Sequence, residues 1–400
     1  MVGTATALVL QERGDDVLLV DRKGVGREAS YGNAGAIQTE AVEPYPFPRS
    51  LAKLLAIGLG RGNAVRWHLA SLNEFCRPLY AYWRNSSPAN YQRACQSFRE
   101  LVHAADRYHA PLITAAGAED LIRRDGYHVL FRSGQDFDQA LIETRHLKER
   151  WGVASYAVDA DGVAAREPAM IRRVAGAVHF NDVWTCRSPG GLTAAYGKLF
   201  ARRGGEIGYG DAASLRPVGA GWQVRTEAGT VAAARVVLAL GAWSVEITRR
   251  LGYRIPLFTK RGYHRHFEAA RGPSGPVFDA ENAVFLSPMA QGLRLTTGAE
   301  FTRMDARIDH RQIRQGEKAA RELFEFGGPV ETTPWFGHRP CLPDMLPVIG
   351  EAPRHPGLWF HFGHAHQGFT AGPATAAILA DRMAGQESDL MRALDPRRFD

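Results

Sequence analysis

The chain has 400 residues, of which 45% are hydrophobic and 23% charged, and its formal net charge is +7. This composition is that of an ordinary globular protein, and the length favours two domains because it exceeds what one hydrophobic core supports. The positive charge is scattered along the chain rather than gathered in a block, so the sequence does not predict nucleic-acid binding.

The targeting and cysteine patterns favour a cytoplasmic protein. We expect no signal peptide, and no apolar run approaches the about 20 residues that a membrane-spanning helix needs. The four cysteines, Cys76, Cys95, Cys186 and Cys341, show neither a C-x-x-C pair nor the spacing of metal ligands. We therefore expect reduced thiols and no cysteine-based metal site.

The beginning of the chain is typical of a dinucleotide-binding unit. Apolar residues at helical spacing predict a first helix, Gly14 suits its C-terminal cap, and residues 17–20 form a short apolar strand. Asp21 ends this strand, where a carboxylate can accept hydrogen bonds from an adenosine ribose. Gly3 then corresponds to the third glycine of G-x-G-x-x-G, and we expect the first two glycines and their strand upstream of Met1. The alternative is a helix–strand pair with a chance aspartate.

Turn-forming residues separate the elements that follow. A glycine-rich loop covers residues 24–35, and prolines between 44 and 48 mark a domain exit. Residues from about 50 to 150 are predicted to be mainly helical. The later predicted elements are a strand at 176–180, a helix at 192–203, a β-meander around 222–231, a strand at 236–240, short strands over 255–330 with a helix near 310–326, a strand at 358–362 and a helix at 373–383.

One predicted helix has the composition of a membrane-surface segment. Residues 51–59 are apolar, and Arg61, Arg66 and Trp67 follow them. An apolar segment with basic and aromatic flanks is typical of a helix that lies in a membrane interface. A helix that packs on its own domain is the alternative.

The turn after the strand at 358–362 has the features of a cofactor-binding loop. Gly363, Gly368 and Gly372 permit close approach of a ligand to the backbone, and Pro373 suits the first position of a helix. The N-terminus of that helix carries roughly half a positive charge. It would stabilise negative charge on a bound group.

Polar residues near the C-terminus offer ligand contacts other than metal coordination. The planar guanidinium of Arg339, held between Gly337 and Pro340, matches a carboxylate through two parallel hydrogen bonds. A structural salt bridge is the alternative role of this arginine.

The nearby histidines lack the spacing of a helical ligand pair and have no cysteine or carboxylate cluster beside them, so we predict no metal site. These histidines are His361, His364 and His366.

Six short segments follow one another in a recognisable order. They are Asp21-Arg22, residues 30–35, residues 236–244, residues 260–263, residues 337–344 and residues 363–370. In this order they resemble the FAD-dependent D-amino-acid oxidase and dehydrogenase family, most closely its bacterial D-amino-acid dehydrogenase branch. The resemblance covers nearly the whole chain. The departure is at the start, because relatives carry the complete glycine loop.

The resemblance implies an α/β fold with two domains. One would be a Rossmann-like FAD-binding domain, and the other an α+β substrate domain of antiparallel sheet and helices. The FAD-binding domain would comprise residues 1–45, 151–245 and 335–400. The substrate domain would comprise residues 46–150 and 246–334.

The resemblance also implies a site. Arg339 would hold the substrate carboxylate, Tyr263 would place its hydroxyl on it, and His364 would lie beside flavin or substrate. A core position for Tyr263 and a structural role for His364 are the alternatives. Cys341 is not where some relatives link their flavin, so we expect non-covalent FAD. The implied FAD contacts are Gly3, Asp21, Arg22, Ser30, Asn33, Ala34, Gly35, Gly241, Trp243, Gly337, Gly363, His364, Gly368 and Thr370.

The implied reaction is oxidation of an amino or imino acid at Cα. A hydride would pass from Cα to flavin N5, and water would hydrolyse the resulting imine to a keto acid. We expect a D-amino acid as substrate, with D-proline and hydroxyproline isomers included. Orientation and electrostatics carry this chemistry, which agrees with a sequence that shows no Ser–His–Asp signature.

The branch also implies a partner. Its members are expected to pass electrons to a respiratory-chain acceptor such as a quinone, with peripheral contact to the inner face of the bacterial membrane. Two other functions stay open: an oxidase of the glycine or sarcosine type that uses oxygen, and a non-catalytic truncated remnant with a binding role. The sequence does not predict an oligomeric state.

Overall fold

The structure, a computed structural model, describes residues 1–59, 62–68, 71–269 and 271–400. Its α-helices are α1 (Val2–Glu12), α2 (Leu51–Gly58), α3 (Leu72–Asn85), α4 (Pro88–Val102), α5 (Ala105–Ala116), α6 (Gly134–Trp151), α7 (Ala160–Arg166), α8 (Pro189–Arg202), α9 (Ser244–Arg250), α10 (Arg311–Arg321), α11 (Gly372–Met383) and α12 (Asp389–Leu394).

The strands form four sheets. They are β1 (Leu18–Asp21), β2 (Ala36–Ile37), β3 (Val65–Trp67), β4 (Ile122–Arg123), β5 (Tyr127–Phe131), β6 (Ser155–Asp159), β7 (Gly176–Phe180), β8 (Trp184–Cys186), β9 (Glu206–Val218), β10 (Gly221–Thr226), β11 (Gly229–Ala233), β12 (Val236–Leu238), β13 (Phe258–Phe267), β14 (Val277–Asp279), β15 (Val284–Met289), β16 (Gly292–Thr296), β17 (Ala299–Phe301), β18 (Trp335–Cys341), β19 (Val348–Glu351) and β20 (Leu358–Phe362).

Two small sheets carry the nucleotide-type elements. One has the order β1-β9-β10-β11 and the other the order β12-β20-β19. The pairs β1–β9 and β12–β20 are parallel, as in nucleotide-binding α/β folds. Helix α1 lies across both sheets, because a side chain added at Gly3 would come within 3.3 Å of Ala239 Cβ and 4.0 Å of Leu19 Cδ1. The first helix therefore joins the two sheets.

A ten-stranded sheet forms the other half of the molecule. Its order is β3-β17-β13-β16-β15-β14-β5-β7-β6, and β18 pairs with β13. Its core contains Phe267, Leu286 and Leu295, with Ile313 of α10 packed against it. Strands β6, β7 and β18 belong to segments that the sequence assigned to the FAD-binding domain. The domain boundaries stay predictions. Because β7 pairs with β5 and β6 pairs with β7 in the ten-stranded sheet, the structure favours placing residues 155–180 with the substrate half.

The predicted elements agree best with the structure where the apolar pattern is strongest. Strands β7 and β20 have the predicted bounds, and α11 begins at Gly372, one residue before the prediction. Gly14 follows α1 with a φ of 91°, in the left-handed region that suits glycine after a helix. Residues 50–150 contain the predicted helices α2 to α6 and also the short strands β3 to β5. The predicted mixed α/β class is confirmed.

Helix α2 has a strongly exposed apolar face. Leu51, Leu55 and Leu59 are 78%, 65% and 68% exposed, and their four-residue spacing puts them on one side of the helix. Arg61, which the sequence analysis placed in the basic flank, lies outside the described residues. Across the ranges that the structure describes, no helix has the length and apolar character required to cross a membrane.

Candidate active site

A cavity of about 1450 Å³ lies where the two halves meet. Single small-molecule sites usually measure about 300–1,000 Å³, so this one has room for a dinucleotide together with a substrate. Its walls come from the start of α1, the end of β1, the loop over 25–34, strands β13 and β18, and the turn after β20. The segments that carry the family resemblance therefore converge on one cavity.

Most of the residues expected to contact FAD line this cavity. They are Gly3, Asp21, Arg22, Ser30, Asn33, Ala34, Gly241, Trp243, Gly337, Gly363, His364 and Gly368. Gly35 and Thr370 do not line it. The carbonyl of Gly35 accepts a hydrogen bond from Cys186 N at 2.6 Å, and Thr370 Oγ1 accepts one from Gln38 N at 3.2 Å. These two residues hold the surrounding loops and are not proposed as FAD ligands.

The end of the cavity near Asp21 has the polar groups that an adenosine would need. Asp21 Oδ1 accepts hydrogen bonds from the backbone N–H groups of Lys23 and Gly24 at 2.7 and 2.9 Å. These bonds fix the carboxylate at the carboxyl end of β1, where nucleotide ribose groups bind in such sheets. The guanidinium of Arg22 lies 4.1 Å from the centre of the Trp243 ring and is paired with Glu28.

The N-termini of α1 and α11 meet beside the cavity. A side chain added at Gly372 would come within 3.0 Å of Met1 Cγ, so the two helices approach closely. Residues 1–4 line the cavity. Helix N-termini present free N–H groups and partial positive charge, which suit a pyrophosphate or a reduced flavin.

Several buried polar atoms around this cavity lack a partner. Among the described residues, His361 Nε2, His338 Nδ1 and Thr296 Oγ1 are buried without a hydrogen bond, and all three residues line the cavity. Buried polar atoms are normally satisfied, and an exception calls for a ligand or a water. Together with the helix N-termini and Asp21, these atoms make the cavity a suitable site for FAD.

Arg339 is a cation of the cavity wall whose direction is fixed by two backbone carbonyls. Its Nη1 donates to Gly298 O at 2.9 Å and its Nη2 to Thr297 O at 3.3 Å. No carboxylate among the described residues lies within 4.0 Å of it. Burial lowers the pKa of this guanidinium. The protein therefore orients a desolvated cation and leaves its counter-ion to a ligand.

Tyr263 lines the cavity, but its hydroxyl bonds to a residue that does not line it. Successive side chains of β13 point to opposite faces, and Gly262 is on the cavity side, where an added side chain would meet Arg339 Nη2 at 2.5 Å. The Tyr263 hydroxyl donates to Glu300 Oε2 at 2.6 Å, and the ring packs in the core beneath the sheet. The expectation that this hydroxyl binds the substrate carboxylate stays a prediction, and the bond to Glu300 does not favour it.

His364 lies at the turn after β20 as predicted, but its properties are those of a neutral group. Its Nε2 lies 3.0 Å from Thr375 Oγ1 in α11. Burial lowers the pKa of His364 to about 3. The imidazole is therefore uncharged at neutral pH, and it can position the turn or exchange neutral hydrogen bonds with a ligand.

Tyr45 is a cavity residue that the sequence did not point to, because it belongs to none of the six segments. It lines the cavity together with His366, and the centres of the two rings are 5.0 Å apart. At a second location His68, Glu300 and Asp309 place ligand atoms within 4.8 Å of one another. Arg261 lies 3.6 Å from Glu300, and Arg311 is paired with Asp309. This group is therefore a network of ion pairs rather than a metal site.

The fold and the cavity are those of an α/β protein with a nucleotide-type site. The FAD dependent oxidoreductase family matches residues 1–382, and the chain belongs to this family. The predicted family, the FAD cofactor and the oxidoreductase class are thereby confirmed.

Named relatives agree with this assignment. The chain is 30% identical to a D-amino-acid oxidase of Bradyrhizobium diazoefficiens, over 100% of this chain and 96% of the relative. It is 28% identical to a D-amino acid dehydrogenase of Cereibacter sphaeroides, over 98% and 92% of the two chains. Glycine oxidase from Geobacillus kaustophilus has the same fold, with a TM-score of 0.71, 21% identity and coverage of 100% and 95%.

Proposed function

We propose that the chain is an FAD-dependent dehydrogenase of D-amino or imino acids. The observation that carries this proposal is the oriented guanidinium of Arg339, which faces the cavity and has no carboxylate partner among the described residues. An α-carboxylate supplies the missing charge. The two relatives named above, a D-amino-acid oxidase and a D-amino acid dehydrogenase, support the substrate class.

The residues of the chain act mainly by orientation. Bound FAD, held without a covalent link, supplies the hydride acceptor. Arg339 binds the substrate carboxylate through its planar fork, and its bonds to Gly298 and Thr297 fix the direction of that fork. Gly262 leaves the space that the guanidinium occupies.

The histidines near the proposed substrate position add no positive charge to it. Hydride loss from Cα requires an uncharged amine, and no general base is assigned to a protein group in this mechanism. Burial lowers the pKa of both His364 and His366 to about 3, so neither imidazole adds a positive charge beside the substrate. The N-terminus of α11 would stabilise the negative charge that a reduced flavin carries.

Product analysis tests the reaction class. The purified protein, given a D-amino acid and an artificial electron-accepting dye, should form one keto acid and one ammonia per dye reduced. The L-enantiomer serves as the control. A protein that reduces the dye without forming keto acid would contradict the proposal.

An oxidase that uses oxygen is the second candidate, supported by the relative of Bradyrhizobium diazoefficiens that is a D-amino-acid oxidase. Stoichiometric hydrogen peroxide in the absence of dye would indicate this function. Turnover that depends on dye or quinone would indicate a dehydrogenase.

We further propose that the electrons pass to a membrane quinone and that α2 makes the contact, on the inner face of the bacterial membrane. Leu51, Leu55 and Leu59 form its exposed apolar face, while Leu54 and Ile57 line the cavity. One helix thus separates the cavity from an apolar surface. Interfacial helices have this division of faces.

A further inference from the structure

We propose that the substrate carries a second anionic group, a side-chain carboxylate, and that Lys260 binds it. The substrate class would then be the acidic D-amino acids. This inference rests on the proposed function, because it assigns the other end of the same substrate.

The strand register places two cations next to each other. Lys260 of β13 is directly opposite Arg339 of β18 in an antiparallel pair. Directly opposite residues project from the same face of a sheet, and both residues line the cavity. Both can therefore contact one small ligand.

Lys260 has aromatic neighbours in place of an acidic partner. Its Nζ lies 4.8 Å from the centre of the Tyr82 ring, 5.4 Å from that of Phe301 and 5.7 Å from that of Phe258. The Tyr82 hydroxyl is 3.5 Å from Nζ. These contacts hold the ammonium group in place, but they do not neutralise it. Within the described part of the chain no carboxylate lies within 4.0 Å of Nζ.

The other titratable groups at this end of the cavity do not supply negative charge. Burial raises the pKa of Tyr45, Tyr82 and Cys341, so all three stay protonated at neutral pH. Burial and the two cations lower the pKa of His366 to about 3. These neighbours therefore do not neutralise the positive charges that Arg339 and Lys260 present to the cavity.

Glu40 is a carboxyl group that acts on this end of the cavity, since burial and then the charge of Glu40 raise the pKa of Tyr45. Its Oε1 accepts hydrogen bonds from Tyr127 at 3.1 Å and from Gln38 at 3.2 Å. Burial raises the pKa of Glu40 itself to about 7. Glu40 thus belongs to a separate hydrogen-bond network and does not neutralise the two cations.

Two cations without acidic partners favour a substrate that carries two negative charges. A substrate with one carboxylate would occupy Arg339 and leave the ammonium group of the half-buried Lys260 without an ionic partner in the cavity. A substrate with two carboxylates would satisfy Arg339 with its α-carboxylate and Lys260 with the other. Electrostatic complementarity of this kind sets specificity.

Steady-state kinetics of the FAD-bound protein test the inference. The substrates are D-glutamate and D-aspartate, compared with the isosteric amides D-glutamine and D-asparagine and with D-proline. We expect kcat/KM for the acidic substrates to exceed that for their amides by about tenfold to a hundredfold, the usual effect of a charged hydrogen bond. Lys260→Met should remove most of this preference through KM, and Lys260→Arg should keep most of it. Lys148→Met, on the exposed side of α6, is the matched control.

The outcomes separate this inference from the proposed function. Equal kcat/KM for acids and amides, in a protein that oxidises D-amino acids, would overturn the role of Lys260 and leave the proposed function intact. An equal fall for all substrates in Lys260→Met would also overturn it, because the lysine would then act on the shared part of the reaction. If no D-amino acid is oxidised although flavin is bound, the proposed function itself fails. The flavin spectrum and the melting temperature of each variant show whether it has folded.

Discussion

At the scale of single residues, the contacts of Arg339 determine how the substrate is held. The carbonyl groups of Gly298 and Thr297 fix the plane of the guanidinium. No carboxylate among the described residues neutralises its charge. A lysine at this position keeps the charge but loses the planar, two-pronged geometry. The orientation of the substrate therefore depends on the shape of this group as well as on its charge.

Arg339→Lys should weaken substrate binding while flavin content stays constant. We expect a loss of about 1.5–3 kcal/mol, the usual contribution of a hydrogen bond to a charged group, and Arg339→Ala should lose at least as much. Anaerobic titration of the flavin absorbance with a D-amino acid measures the change. Unchanged titration curves would remove Arg339 from the site.

Glu40 gives the molecule a pH dependence that can be isolated. Burial raises its pKa from 4.5 to about 7 in the folded state, so the folded protein binds the proton more tightly than the unfolded chain. This contribution to stability is present below about pH 4.5 and is lost as the pH rises to about 7. The full shift corresponds to about 3 kcal/mol.

Glu40→Gln should therefore be more stable than the parent protein at pH 8 and show a smaller fall in stability between pH 5 and 7, about the range that the shifted pKa defines. An amide can keep the hydrogen bonds to Tyr127 and Gln38. Urea unfolding at both pH values measures the effect, with Glu149→Gln on exposed α6 as the control. If the free energy of unfolding depended on pH in the same way in the parent and the variant, the raised pKa of Glu40 would be contradicted.

At the scale of secondary-structure elements, the sequence predicted what depends on local pattern. Strand β20 and helix α11 have the expected bounds within a residue, since an apolar strand, a glycine turn and a proline follow one another there. The bond from the Tyr263 hydroxyl to Glu300 was not predicted, because the partners of a strand residue depend on how the strand pairs. Only the register of β13 with β18 shows that Lys260 and Gly262 face Arg339.

Helix α2 offers a test of the element as a unit. Replacing Leu51, Leu55 and Leu59 by serine should abolish sedimentation with anionic phospholipid vesicles, because burial of each leucine at the interface contributes about 1.5–3 kcal/mol. Activity towards a soluble dye should persist. Ile142→Ser, at an apolar position that is 60% exposed on α6, is the matched control. Equal sedimentation of all variants would exclude α2 as the contact.

At the scale of the whole molecule, the site exists only where distant segments meet. The start of α1, the end of β1, β13, β18 and the turn after β20 surround one cavity. The order of motifs along the sequence predicted most of these segments. The sequence did not predict the second cation beside Arg339, since the pairing of β13 with β18 spans a long stretch of chain. Domain boundaries were also hard to place, because β7 joins the large sheet by pairing with β5, and β6 joins it by pairing with β7.

The most direct test of the central claim is the visible absorption spectrum of the purified, FAD-loaded protein under anaerobic conditions. We predict that the flavin band bleaches on addition of D-amino acids and stays unchanged with their L-enantiomers. A flavin band that persists with every D-amino acid would contradict the assignment of this cavity to D-amino-acid oxidation.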